Sequence, residues 1–98
     1  MISTVGNDQY AQPFHDELSK NGVDVSGLRT VEGMMSGISF VVVEIDTGEN
    51  RCLFQAGAND ALTVEDLATV ESLANGRRPD LVIAQMEISR EIVRHAIE

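Results

Sequence analysis

Residues 36–55 read SGISFVVVEIDTGENRCLFQ, two apolar runs separated by a polar turn. The first half of this stretch is rich in β-branched residues, its centre is a polar turn containing Gly48, and its second half is apolar again around Leu53 and Phe54. Two such runs on either side of a polar, glycine-containing turn predict a β-hairpin. Apolar residues fall on both faces of the predicted strands, which is unusual for a hairpin at a protein surface.

The segment before the hairpin predicts a strand followed by a helix. Residues 2–5 read ISTV and favour a strand, and Leu28 to Val31 favours a second, short one. Between them, Asn7 or Asp8 is expected to cap a helix that ends at Asn21-Gly22. The apolar face of this helix is formed by residues spaced four apart: Tyr10, Phe14 and Leu18.

The segment after the hairpin predicts helix, strand and helix. Thr63 to Asp66 resembles a capping box, which predicts a helix from there to Ala74. Leu81 to Met86 then predicts a buried strand, and Ser89 is expected to cap a last helix. The inward-facing residues of that helix are expected to be Ile92, Val93, Ala96 and Ile97. Strands that alternate with helices indicate an α/β fold with parallel pairing.

The size and charge of the chain exclude several classes of partner. Its 98 residues suffice for one small domain, and sixteen acidic against seven basic residues give a net charge of −9. Nucleic acid and anionic membranes are therefore not expected as partners, because both require clustered Lys and Arg. The longest apolar run, Phe40 to Val43, is far short of the roughly 20 residues that span a bilayer. Cys52 is the only cysteine, which favours a reducing, cytoplasmic location.

Catalytic and metal-binding motifs are sparse. His15 and His95 are far apart and Cys52 has no second cysteine, so no metal site is expected. Neither histidine has a recognisable nucleophile beside it, so a hydrolytic triad is not indicated. The glycines at positions 33 and 37 precede a strand and lack the lysine of a phosphate-binding loop.

Glu87 is the best candidate for a ligand-facing group. It follows the apolar run Leu81 to Met86, at the carboxyl end of a predicted strand. In open α/β sheets, small ligands bind at that edge. The alternative is a solvated acid, or one that helps to start the next helix, and position alone does not separate the two.

Six short motifs follow one another in order across nearly the whole chain. Together they resemble the ribokinase family, the PfkB-type carbohydrate kinases. Where that family usually has Thr-Gly, this chain has Ser36-Gly37, which keeps the hydroxyl group. The motifs are Val5-Gly6-Asn7-Asp8, Asn21-Gly22-Val23-Asp24-Val25-Ser26, Ser36-Gly37-Ile38-Ser39, Gly48-Glu49-Asn50, Ala56-Gly57-Ala58-Asn59 with Leu62-Thr63, and Gln85-Met86-Glu87.

The resemblance implies an α/β, ribokinase-like (Rossmann-like) sandwich fragment with a protruding antiparallel β-lid hairpin. Residues 1–98 would be part of one kinase domain, with the lid at about 36–55 and core segments at 1–25 and 60–98. The implied activity is ATP-dependent phosphorylation of D-ribose. Glu87 would hydrogen-bond the sugar hydroxyls, and Ser39 and Phe54 would pack over the sugar. The lid would also form the contact of a homodimer.

Two family segments do not occur in these 98 residues. One is the Gly-Gly-Lys-Gly-Ala-Asn segment that grips the sugar, and the other is the Asp-Thr-x-Gly-Ala-Gly-Asp segment that supplies the catalytic base and the anion hole. The resemblance therefore implies ATP and Mg²⁺ for the full-length family enzyme, and neither is expected to bind this chain alone. No catalytic residue and no metal ligand is expected within it. The chain is expected to be an internal fragment, inactive in isolation.

Three alternatives stay open. The chain could be a non-catalytic interaction module that pairs through its β-lid. It could be a fragment of another PfkB-family kinase, such as a fructokinase, a deoxygluconate kinase or a nucleoside kinase. It could also be an unrelated small α/β binding module.

Overall fold

The computed structural model describes residues 1–67 and 79–97. Within them lie two small sheets, one parallel and one antiparallel; one helix connects the strands of the parallel sheet, and the other helices follow the antiparallel sheet. The elements in chain order are β1 (Ile2–Gly6), α1 (Ala11–Lys20), β2 (Gly27–Val31), β3 (Ile38–Val43), β4 (Asn50–Gln55), a 3₁₀ helix (Gly57–Ala61), α2 (Val64–Leu67) and α3 (Arg90–Ile97).

The strand–helix–strand unit is formed as the sequence predicts. β1 pairs with β2 in parallel, from Ile2 opposite Gly27 to Gly6 opposite Val31, and α1 connects the two strands. A parallel pair needs such a crossover, because a tight turn can only join antiparallel strands. α1 ends at Asn21-Gly22 as predicted, and Gly22 adopts a positive φ of 77° that closes the helix.

The start of α1 differs from the prediction. The residue before the helix is Tyr10, and no side chain caps it. Asp8 lies two residues earlier and accepts a hydrogen bond from the Tyr10 N–H, while the Asn7 side chain bonds Glu32 and Gly33 instead. Both candidate caps were wrong because these side chains are engaged by the segment that follows β2.

The predicted hairpin is confirmed. β3 and β4 pair antiparallel, with Ile38 opposite Gln55 and Val43 opposite Asn50. The turn is closed by two backbone hydrogen bonds, from the Glu44 N–H to the Glu49 carbonyl and from the Gly48 N–H to the Glu44 carbonyl. Gly48 has a φ of 73°, a conformation that glycine adopts at little cost.

The last helix agrees with its prediction except at its end. The Ser89 hydroxyl accepts a hydrogen bond from the Ile92 N–H at 3.3 Å, as a helix cap does. Ile92 is buried, and Val93 and Ala96 are half-buried. Ile97 is exposed, so its predicted inward orientation was wrong. The helix predicted to continue to Ala74 begins as α2, and the rest of it lies outside the described residues.

The buried strand predicted at Leu81 to Met86 is wrong. Residues 81–86 form neither helix nor strand, and all of their side chains are exposed, with Ile83 reaching 81%. A strand needs a hydrogen-bonded neighbour, and the described residues offer this segment none.

No helix among the described residues has both the length and the apolar character to cross a bilayer.

Candidate functional site

The hairpin meets the carboxyl end of β1 at a dense set of hydrogen bonds. Asp8 is at its centre: its Oδ2 accepts the Ser36 N–H at 2.6 Å, and its Oδ1 accepts the Ser36 hydroxyl at 2.8 Å. The same Oδ1 accepts the Tyr10 N–H at 3.1 Å. These bonds, with the Ser36 N–H first among them, lower the pKa of the Asp8 carboxyl below its ordinary value, against partial desolvation that raises it. Asp8 is therefore held as a carboxylate facing the start of the hairpin.

Ser36 is the residue through which the hairpin enters. Its side chain is buried, with 7% of the residue exposed. The hydroxyl donates to Asp8 and accepts the Gly6 N–H at 3.1 Å. A threonine carries the same hydroxyl group, so it would preserve both bonds at this position. Serine and threonine are therefore interchangeable in this junction.

The exit of the hairpin is fixed to the same strand. The Ala58 N–H donates to the Met35 carbonyl at 2.8 Å, and the Thr4 hydroxyl donates to the Ala58 carbonyl at 2.7 Å. Thr4 and Ala58 are both buried. Gly57 adopts a φ of 52°, and a Cβ there would lie 2.5 Å from the Met35 carbonyl oxygen. Only glycine fits this close approach.

A shallow cleft of about 150 Å³ opens beside this junction. It lies between β1, α1 and the two ends of the hairpin, and its lining is mixed polar and apolar. The lining residues are Ser3, Thr4, Val5, Tyr10, Phe14, Ser36, Gly37 and Asn59. Such a concave surface with a few polar groups suits a small hydroxylated molecule, although its volume is below that of most ligand sites.

Two of the three predicted substrate-binding residues lie together. Ser39 on β3 is directly opposite Phe54 on β4. Opposite residues in an antiparallel pair point to the same face, so the hydroxyl and the aromatic ring share one face of the hairpin. Both residues are exposed.

Glu87, the third predicted residue, lies between the exposed segment 81–86 and α3. Its side chain is exposed, and it forms no hydrogen bond or ion pair with any described residue. The structure therefore does not bring Glu87 together with the hairpin, and its role in sugar binding stays a prediction.

An ion pair between β2 and α2 was not predicted. The Arg29 guanidinium contacts the Asp66 carboxylate through two hydrogen bonds of 2.6 and 2.7 Å, and it also donates to the Ala61 carbonyl at 2.7 Å. The Arg29 hydrogen bonds are the main reason why the pKa of Asp66 falls to about 2. Asp66 also accepts the Thr63 N–H at 2.8 Å, which is one half of the predicted capping box.

Sequence reasoning missed the role of Asp8, Thr4 and Arg29. Asp8 and Ser36 are 28 positions apart, and Arg29 and Asp66 are 37 apart, so no local spacing pairs them. The one available signal was the hydroxyl group at Ser36. Within residues 1–67 and 79–97, no group of three His, Cys, Asp or Glu side chains is arranged to hold a metal ion.

Comparisons with known proteins agree on one family. Residues 1–84 match the profile described as pfkB family carbohydrate kinase. The ribokinase of Schizosaccharomyces pombe is 32% identical over 98 residues, which are 100% of this chain and 30% of the relative. The deoxyribokinase of Salmonella typhi is 30% identical over 99 residues, which are 100% of this chain and 31% of that enzyme. The chain thus spans about 30% of the length of these curated relatives.

Two solved ribokinase structures share the fold of this chain. The ribokinase from Giardia lamblia has a TM-score of 0.80 at 22% identity, covering 98% of this chain and 29% of its own. The ribokinase from Thermotoga maritima has a TM-score of 0.72 at 29% identity, covering 94% of this chain and 28% of its own. These likenesses confirm the predicted fold, which is α/β and ribokinase-like with an antiparallel hairpin.

Proposed function

Because the chain belongs to the pfkB family of carbohydrate kinases, we propose that it forms part of an ATP-dependent kinase that phosphorylates D-ribose. The observation that supports ribose most directly is the identity of 32% to a ribokinase along the whole chain. Similarity to a deoxyribokinase at 30% makes 2-deoxyribose the competing substrate. Fructose, deoxygluconate and nucleosides, the substrates of other kinases of the family, are further candidates.

The sugar-facing surface of this part is the face of the hairpin that carries Ser39 and Phe54. The Phe54 ring offers an apolar surface to the C–H groups of a sugar, and the Ser39 hydroxyl beside it can donate or accept a hydrogen bond. Glu87 supplies a carboxylate that accepts hydrogen bonds from sugar hydroxyls. Each such bond to a charged group contributes about 1.5–3 kcal/mol when water is excluded.

We expect neither ATP nor Mg²⁺ to bind these 98 residues by themselves. The sequence has no glycine-rich loop followed by lysine, and the described residues hold no cluster of carboxylates suited to a cation. The sequence also lacks the family segment that supplies the catalytic base and the anion hole. A catalytic base accelerates such reactions roughly 10²–10⁴-fold, and an anion hole roughly 10²–10³-fold. We therefore expect the isolated 98 residues to have no useful affinity for ribose and to transfer no phosphoryl group.

The other face of the hairpin is proposed to pack on a second copy. Phe40 and its cross-strand partner Leu53 lie on this face, opposite to that of Ser39 and Phe54, and both are about two-thirds exposed. Exposed apolar surface of this kind marks an interaction site. The same observation favours the second candidate function, a non-catalytic module that pairs through the hairpin. The single cysteine and the kinase relatives support a cytoplasmic location.

A chimeric enzyme tests the proposed function. The 98 residues replace the aligned segment of the Schizosaccharomyces pombe ribokinase, and phosphorylation of ribose, 2-deoxyribose and fructose is measured. We expect activity with ribose above the other two sugars. Glu87→Gln should raise KM for ribose at least tenfold, because the amide cannot accept as strongly as the carboxylate. Glu91→Gln, an exposed acid on α3, is the matched control.

Two outcomes would count against the proposal. A folded chimera that phosphorylates none of the sugars would leave the interaction module as the better function. A KM for ribose that is equal in Glu87→Gln and Glu91→Gln would remove Glu87 from the site. Clear millimolar binding of ribose to the isolated chain, measured by calorimetry, would contradict the expectation that this part alone has no useful affinity for ribose.

A further inference from the structure

The hairpin is attached to the rest of the described chain through its two ends. β3 and β4 contact each other extensively, and neither contacts another described helix or strand to a comparable extent. The two attached ends are residues 34–37, before β3, and residues 56–59, after β4. The direction in which the hairpin points is therefore set by what holds these two segments.

The first segment is held by Asp8 in a two-point contact. One carboxylate oxygen takes the backbone N–H of Ser36 and the other takes its hydroxyl, at 2.6 and 2.8 Å. Two bonds to one residue fix its orientation as well as its distance. Both bonds involve a charged acceptor, which makes them stronger than bonds between neutral groups.

The second segment is held by Thr4, four residues before Asp8 in the chain. The Thr4 hydroxyl donates to the Ala58 carbonyl at 2.7 Å, and the Ala58 N–H donates to the Met35 carbonyl at 2.8 Å. The two segments are thus joined to each other and to one strand. Residues of both segments, Ser36 and Asn59, line the cleft together with Thr4.

We propose that Asp8 and Thr4 are positioning residues that anchor the two ends of the hairpin beside the cleft and so set the direction in which the hairpin points. The consequence for sugar binding rests on the proposed function, since it requires that the hairpin covers the sugar. Loss of the Asp8 carboxylate frees the direction of the hairpin, while the β3–β4 ladder and the β1–β2 pair stay formed. A purely structural role would instead destabilise all of these together.

The single cysteine allows a direct test on the 98-residue chain. Cys52 is exposed on β4, so a nitroxide attached there reports where the hairpin lies through the broadening of nearby amide signals. The variants are Asp8→Ala, Ser36→Ala and Ser36→Thr, and Asp16→Asn on the exposed side of α1 is the control. Hydrogen exchange of the backbone amides is measured on the same samples.

We expect Asp8→Ala to speed amide exchange at Ser36 and Ala58 by about tenfold or more, the change that a loss of about 1.4 kcal/mol produces. The Glu44 amide in the hairpin turn and the β1–β2 amides should change by less than about twofold. The set of amide signals broadened by the nitroxide on Cys52 should change in Asp8→Ala and, to a smaller extent, in Ser36→Ala. Ser36→Thr and Asp16→Asn should retain the parent pattern.

The proposal is overturned if Asp8→Ala leaves exchange at Ser36 and the broadening pattern unchanged. If Asp8→Ala unfolds the whole chain, the two Ser36 variants test the proposal instead. Equal amide exchange and equal broadening patterns in Ser36→Ala and Ser36→Thr overturn it. A change in Ser36→Ala that is absent from Ser36→Thr supports it. In the chimera, Asp8→Ala should raise KM for ribose at least fivefold. The label experiment uses no sugar, so a chimera without activity refutes the kinase function and leaves this result standing.

Discussion

The strand–helix–strand unit of residues 2–31 and the hairpin of residues 38–55 are stabilised in different ways. In the first, Thr4 and Val5 are buried, and the Thr4 hydroxyl bonds the Ala58 carbonyl, 54 positions away in sequence. In the second, the strands are held by their own ladder and turn, and most apolar side chains are exposed. Yet the hairpin strands are the more apolar of the two regions.

This difference shows that hydropathy alone does not bury a strand. A strand is buried when other elements cover its faces, and in β1 that cover comes from the 3₁₀ helix, which contacts it closely. The apolar faces of the hairpin have no such cover within the described chain. In the family to which this chain belongs, we expect them to be covered by a ligand on one side and a partner on the other.

The largest difference in the free energy of unfolding is expected between two variants that each add one methyl group, one in the strand–helix–strand unit and one in the hairpin. A Cβ at Gly6 would lie 2.3 Å from the Met34 carbonyl oxygen and 2.5 Å from the Ser36 nitrogen, both backbone atoms. Gly6→Ala should therefore lower the free energy of unfolding by about 3 kcal/mol. At Gly48, in the hairpin turn, a Cβ meets nothing within 4 Å, and only the positive φ costs energy. Gly48→Ala should cost about 1 kcal/mol.

Urea denaturation of both variants, followed by circular dichroism, measures this contrast. Equal losses in the two variants would contradict the difference in how the two regions are held. A Gly6→Ala chain as stable as the parent would show that the segment 34–36 yields easily, which would also weaken the proposed anchoring of the hairpin.

Much of the fold could be predicted from local patterns. Two apolar runs on either side of a polar, glycine-containing turn gave the hairpin, and Ser89 before an apolar helix gave the cap of α3. The position of Ser39 opposite Phe54 also follows from the hairpin alone, once the register is known. These features depend on residues that are neighbours in sequence or joined by one short turn.

The remainder depends on contacts that local patterns do not record. The run from Leu81 to Met86 has the composition of a buried strand, but composition does not state which neighbour would pair with it. The contacts of Asp8 with Ser36 and of Arg29 with Asp66 bridge 28 and 37 positions. Neither could be derived from spacing, and the contact of Asp8 was obscured by its expected role as a helix cap.

The ion pair between Arg29 and Asp66 should make the stability of the strand–helix–strand unit, but not that of the hairpin, fall as the pH is lowered. The pKa of Asp66 is about 2 in the folded chain, below its ordinary value of 3.8. Between these values the unfolded chain takes up a proton and the folded chain does not, so stability falls as the pH is lowered from about 5 to about 2. Because Arg29 is partly exposed, we expect a loss of about 1 kcal/mol.

Urea denaturation between pH 7 and pH 2 checks this expectation. Asp66→Asn should be less stable than the parent at pH 7, and the two should converge near pH 2. Asp46→Asn, in the exposed hairpin turn, is the control and should follow the parent at every pH. A gap between the parent and Asp66→Asn that persists at pH 2 would show that the charge of Asp66 is not what stabilises β2 against α2.

The smallest effect on stability, and the most specific effect on association, should come from the hairpin faces. Phe40 is 66% exposed, so Phe40→Thr should change the free energy of unfolding by less than about 0.5 kcal/mol. The same change removes an aromatic side chain from the face proposed to pack on a second copy. Since burial of a Phe side chain contributes about 1.5–3 kcal/mol, the dissociation constant of a dimer should rise at least tenfold.

Sedimentation over a range of chain concentrations measures this constant. Val41→Thr is the matched control, because Val41 lies on the opposite face with Ser39 and Phe54 and should leave self-association unchanged. If Val41→Thr weakens the dimer and Phe40→Thr does not, the two faces have exchanged roles and the sugar would bind over Phe40. If neither variant alters sedimentation, the exposed apolar side chains of the hairpin do not mediate self-association, and their cover must come from a different molecule.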